Sequence, residues 1–223
     1  MNLFAEIDVS KLFGLALRTS ISVQAATFAL AAVGLNLHYG YTGLLNFGVV
    51  AFMAAGAYGM AIFFTQGWLG GSILLAIASG VVFAVVIALS IGLPSLRLRA
   101  DYLALTTIAI AEVLRISFRS QRLLDFTGGP FGLPSIEDRN ANVSFADVIT
   151  VDWNPIKEGN YGAWFLEFDE KTLWVMIIGW SLVSLASLLI WGLMRSPWGR
   201  VIKAIREDED AARALGKNVF SYK

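Results

Sequence analysis

The sequence predicts an all-α chain, a polytopic bundle of membrane helices followed by a polar tail. Three observations lead there. No Asp, Glu, Lys or Arg occurs from Thr19 to Ser95, and a second uncharged run extends from Thr172 to Met194. Hydrophobic residues make up 57% of the 223-residue chain and charged residues 15%, well under the roughly 25% of a soluble domain. A hydrocarbon layer of about 30 Å takes about 20 apolar residues of helix to cross, and ionised groups inside it are costly. The first run alone is therefore long enough for three crossings.

Taken in order, Leu12, Phe13, Leu15 and Leu17 between Lys11 and Arg18 read as a short interfacial segment. Glu6 and Asp8, with no basic stretch ahead of a cleavage site, argue against a removable leader. Membrane segments are expected at residues 20–37, 44–64 and 72–93, the last stopping at Pro94. A fourth, 102–118, is weak because Glu112, Arg115 and Arg119 follow Ala111. The fifth, 172–194, carries Trp174 and Trp191 near its ends, as interfacial anchors. Residues 121–171 form an acidic loop opened by the turn Thr127-Gly128-Gly129-Pro130-Phe131-Gly132. The tail, 195–223, is basic next to the membrane, with Arg195, Arg200, Lys203 and Arg206. Basic flanks stay inside, so the tail is placed in the cytoplasm and the loop outside. Arg115, Arg119 and Arg122 then fall on the outer side, against the trend. That leaves open which side the N-terminus takes and whether 102–118 crosses fully.

Cysteine is absent and His38 is the single histidine, which gives no basis for thiolate chemistry or a bound metal. Gly48 and Gly56, and Ala51, Ala55 and Gly59, recur at helical spacing, as helices packed closely in lipid require; the same ridge has a second reading as the wall of a path. The stretch Gly34 to Gly48 sets four glycines among Asn36, His38, Thr42 and Asn46, between two apolar runs. Irregular backbone at membrane depth needs protein or water to satisfy it, so this is either a broken transporter helix or a plain turn. Glu112 and Arg115 share a helix face; an intramembrane pair is a functional candidate, unless both side chains snorkel to water. In the tail, Pro197 suits a helix start. Val201 to Leu215 reads as one amphipathic helix with Arg206/Asp210 and Glu209/Arg213 pairs, closed by Gly216.

These motifs resemble a family. Asp210-Ala211-Ala212 followed by Gly216 is similar to the cytoplasmic EAA signature of ABC-importer permeases, with Asp in place of the usual first Glu. More closely, the chain resembles the LivM-type permeases of branched-chain amino acid uptake. The resemblance rests on Gly34-Leu35-Asn36-Leu37, Gly40 to Gly48, Leu98 to Leu105, Glu112-Val113-Leu114-Arg115, the Thr127 turn and Ser196 to Glu209. It implies a chain that continues beyond Lys223 and is part of one transmembrane permease domain in a bacterial inner membrane. It implies no enzyme activity and no cofactor on this chain, ATP being bound by partner subunits; no G-x-x-x-x-G-K-[ST] loop occurs here. The implied partners are a second, LivH-like permease, two ATP-binding cassette subunits and a periplasmic binding protein, with no nucleic acid. Arg206, Glu207, Asp210, Ala211, Ala212 and Gly216 are then expected to couple to the ATPase. Asn36, Thr42, Gly43, Asn46 and Gly48 are expected along the translocation path. Rival expectations are a urea or short-chain amide permease of the same kind, an ion-coupled carrier and an intramembrane enzyme.

Overall fold

A computed structural model describes residues 9–65, 73–95, 98, 100–131, 154–162, 166–216 and 218–222. The acidic positions 137–152, together with Arg97, Arg99 and Gly132, lie outside the described residues. The described chain is helical apart from turns and one two-stranded ribbon. Contacts divide it into two compact units, Met1–Val33 with Ala146–Leu189 and Gly34–Phe145 with Ile190–Lys223.

The first unit holds α1 (Val9–Ile21), most of α2 (Val23–Leu35), β1 (Asn160–Tyr161) paired antiparallel with β2 (Phe168–Asp169), and most of α6 (Glu170–Arg195). The expected interfacial segment is helical and runs straight into the expected first span. The break comes later, at Ser22, where the helix bends by 50°. Hydroxyls explain it. Thr19, Ser20 and Ser22 donate to the carbonyls of Leu15, Ala16 and Thr19 at 2.7–2.8 Å, a back-bonding that bends helices. Ser22 Oγ also accepts from Ala25 N–H at 3.3 Å and so caps α2. The Trp180 indole donates to the Ile21 carbonyl at 2.9 Å, just before the bend. Gly179 lies so near Ala26 that an added Cβ would stand 3.1 Å from the Ala26 methyl.

The second unit holds α3 (Val49–Thr65), α4 (Ile73–Ser95), α5 (Ala100–Phe118) and the tail. Helices α3 and α4 meet through glycine. A Cβ on Gly80 would lie 2.7 Å from the Gly56 carbonyl oxygen, and one on Gly59 would lie 2.7 Å from Phe83 Cβ. The small-residue ridge of α3 therefore packs as close lipid-phase contacts do. Helix α4 continues through Pro94 to Ser95 instead of stopping before it. Only α4 and α6, with 23 and 26 residues, are single helices apolar and long enough to cross among the described residues; α1–α2 with its extension to Tyr41 is a third if counted as one bent span. Helix α3 has 17 residues, and α5 carries Asp101, Glu112 and Arg115.

The tail differs from the expected single helix. It forms α7 (Pro197–Glu207), α8 (Glu209–Ala214) and α9 (Val219–Tyr222). Asp208 is extended, with φ −152° and ψ 104°, and its carboxylate accepts from the N–H groups of Asp210 and Ala211 at 3.0 and 2.9 Å. An aspartate that caps a new helix ends the old one. The break also takes Arg206 and Asp210 off a common face, and the expected pair between them is replaced. Arg213 holds Glu209 at 2.6 Å and approaches Asp210 at 3.6 Å, while Arg206 turns to Gly40. Ile205, Ala212 and Val219 form the small core of this tail.

Candidate functional site

Two features of the second unit carry chemistry, the stretch 36–48 and the cavity between α3 and α5. The stretch begins as a π-helical segment, Asn36–Tyr41, which continues α2. That segment is capped by Thr42, and Gly43 follows with a left-handed φ of +71°, which suits glycine. Leu44 N–H bonds back to the His38 carbonyl at 3.1 Å, and Thr42 Oγ1 donates to the same oxygen. A Cβ on Gly40 would collide with the Asn36 amide. Asn46 Oδ1 accepts from Gly48 N–H at 2.8 Å, closing a local turn. Phe47 N–H donates to Thr107 Oγ1 of α5 at 3.1 Å. Broken backbone here is thus satisfied largely by the chain itself, as membrane depth demands.

Helix α7 lies on this stretch. Arg206 Nη1 donates to the Gly40 carbonyl at 2.5 Å, and Lys203 Nζ stands 5.5 Å from the centre of the Tyr41 ring. Gly43 is crowded by Arg206, since an added Cβ would sit 3.0 Å from its Cγ. Below these, Thr42 shares a small apolar pocket with Ile202, Ile205 and Tyr222. A one-turn spacing on α7 places both cations over one segment.

The residues expected to couple divide by direction. Glu207, Asp210, Ala211 and Gly216 are exposed. Gly216, at φ +79°, ends the turn after α8. Ala212 is 5% exposed inside the tail core, whereas Arg206 is exposed even though its guanidinium donates to the Gly40 carbonyl.

The cavity, about 700 Å³, is walled by Val50, Ala51, Ala54 and Tyr58 from α3 and by Ile108, Glu112, Arg115, Phe118 and Arg119 from α5 and its end. Arg115 Nε and Nη2 donate to the two Glu112 carboxylate oxygens at 2.8 and 2.5 Å, a fork-to-fork pair. Tyr58 and Phe118 stack with centroids 4.4 Å apart. Of the 36–48 stretch, Phe47 reaches the cavity; Asn36, Thr42, Gly43, Asn46 and Gly48 do not line it. Sequence reasoning missed this cavity, and the signal for it was the Ala51/Ala54 face opposite a charged helix. Among the described residues no three His, Asp or Glu side chains converge as a metal site would.

The family model described as "Branched-chain amino acid transport system / permease component" matches residues 17–223. The chain is 32% identical over 203 residues to the "High-affinity branched-chain amino acid transport system permease protein LivM" of Escherichia coli (strain K12), covering 88% of this chain and 45% of that protein. It is also 32% identical over 208 residues to the protein of the same name in Salmonella typhimurium, covering 89% and 46%. The chain thus spans about half the length of the curated relatives it matches. No solved structure matches it significantly.

Proposed function

Because this chain belongs to the branched-chain amino acid transport system permease family, we propose that it is a membrane-spanning subunit of an ATP-driven importer, moving branched-chain amino acids across a bacterial inner membrane. The observation that carries the coupling part of this reading is the clasp of α7 on residues 36–48, through Arg206 on Gly40 and Lys203 on Tyr41.

In this reading the tail is cytoplasmic and the loop 121–171 external. The exposed face with Glu207, Asp210, Ala211 and Gly216 rests on an ATP-binding partner. Arg206, bonded to the Gly40 carbonyl, hands the partner's motion to the Asn36–Gly48 stretch, where Thr42, Gly43 and Asn46 shape the moving backbone beside the path. A second permease subunit completes the pathway, and a periplasmic binding protein delivers solute. The chain itself performs no hydrolysis.

The test is uptake by the full-length protein with its partners in proteoliposomes, with ATP hydrolysis measured alongside. Arg206→Gln is expected to leave assembly and hydrolysis in place and to lower uptake per ATP about tenfold, the loss of one charge-assisted bond. Wild-type uptake per ATP in that variant removes the coupling role of Arg206. Uptake that follows a proton or sodium gradient and ignores ATP removes the importer reading. Uptake of urea in preference to leucine keeps the importer and replaces its solute.

A further inference from the structure

The clasp leaves the groove between α3 and α5 without a use. We propose that it holds one anionic phospholipid, with an acyl chain along Phe47, Val50, Ala54 and Ile108 and the phosphodiester on Arg119 and the outer edge of Arg115. The proposal needs these helices to lie in a bilayer; it is independent of the solute and of ATP.

Charge is the first argument. The wall holds one carboxylate, Glu112, and two guanidinium groups, Arg115 and Arg119, so its net charge is positive. Glu112 is spent on Arg115 through two hydrogen bonds. The pair lies on the helix surface, with Arg115 and Glu112 54% and 51% exposed. Arg119, one turn beyond Arg115, is exposed and has no carboxylate partner among the described residues. An anion meets Arg119 without opening the pair. A net-neutral headgroup brings an ammonium for which the wall has no free carboxylate. Guanidinium forks match phosphate oxygens two at a time, and basic pockets between membrane helices take anionic headgroups. Arg115 and Arg119 are also residues that oppose the orientation trend, and a lipid phosphate gives them a partner in either leaflet.

Shape is the second argument. The bond from Phe47 N–H to Thr107 marks one end of the groove, and the Tyr58–Phe118 stack marks the other. Thr107 to Phe118 is about 16 Å of helix, close to one leaflet, which is half of a hydrocarbon layer of about 30 Å. Spread over that length, a volume of about 700 Å³ has a cross-section of about 45 Å², roughly half that of a helix 10 Å across. The groove therefore admits a flexible chain and no helix. It opens sideways: Val50 is 70% exposed, and Phe47 and Ile108 are exposed with it, so in a bilayer it is reached from the lipid. The arginines gather toward the Tyr58–Phe118 end and the apolar residues toward Phe47, the layout of a headgroup above its chain.

The experiment is a lipid-induced melting shift on the full-length permease assembly, stripped of lipid in neutral detergent. Phosphatidylglycerol is expected to stabilise it at concentrations where phosphatidylcholine with the same chains, and glycerol phosphate with no chain, do not. Arg119→Gln, which spares the ion pair, is expected to raise the phosphatidylglycerol concentration needed for half the shift about fivefold. Ala54→Phe, which fills the groove, is expected to weaken both the shift and the preference for the anionic lipid. Arg122→Gln removes the same charge from outside the lining and is expected to leave the response at the wild-type value. Equal shifts from the two lipids overturn the site, as does a response unchanged in both Arg119→Gln and Ala54→Phe. An equal loss in Arg122→Gln overturns it too, leaving only diffuse attraction to a charged surface. Stabilisation by leucine with no lipid preference, lost in Ala54→Phe, gives the cavity to a solute instead. ATP-driven uptake by a wild type that shows no lipid preference removes the site and leaves the permease reading standing.

Discussion

The α3–α4 contact and the α7 contact on residues 36–48 join helices by opposite means. Between α3 and α4, backbone meets backbone at Gly56 and Gly80, and ring meets glycine at Phe83 and Gly59. No charge takes part, and nothing else fits the space. Under α7, two long cations reach a carbonyl and a ring, with Ile202 and Ile205 buried beneath them. Arginine and lysine can return to water or phosphate when displaced; a glycine contact has no second partner. The first contact has no alternative partner, whereas the second can exchange its partners for water.

That contrast is open to attack, starting with the largest effect. Gly80→Leu forces a side chain into the Gly56 backbone. It should destabilise the bundle by about 3 kcal/mol or more, read as loss of detergent-stable protein; a variant that purifies in wild-type amounts breaks the claim of a rigid α3–α4 pair. Gly43→Ala places a Cβ at φ +71° and against Arg206. A loss of about 1–2 kcal/mol is expected, seen as a lower melting temperature, and uptake per ATP should fall with it because the clasp is disturbed. Asp208→Ala removes the cap of α8 and should cost about 1 kcal/mol, detectable as faster amide exchange confined to residues 209–214. Smallest of all, Glu209→Gln breaks a solvent-exposed pair with Arg213. Melting should not change measurably; a clear drop would mean the tail depends on its surface charges, contrary to the contrast drawn here.

The helical membrane architecture was legible because it rests on what the chain omits. An uncharged run from Thr19 to Ser95 admits few alternatives, and α4 and α6 appear where the two runs place them. The bend at Ser22 was not legible, because apolar residues continue unchanged through it and the cause is a local set of hydroxyl bonds. Asp208 was readable in principle as a cap ahead of the acidic Glu209 and Asp210, but the apolar period of Ile205, Ala212 and Leu215 argued for continuity. The direction of Arg206 was out of reach: its acceptor is 166 residues away. The same holds for the cavity, whose existence depends on which face of α3 meets α5. Glu112 and Arg115 were visible as a pair, but not as part of the wall of an open cavity.

The π-helical segment at Asn36–Tyr41 has a consequence for geometry downstream. A π turn takes up more residues than an α turn for a similar stretch of axis, so this segment keeps slack in the chain. Were it to tighten, each residue released would swing the following backbone through about 100°. Phe47, a few positions further along, would be carried with it, and the bottom of the α3–α5 space would change shape without any tilt of the long helices.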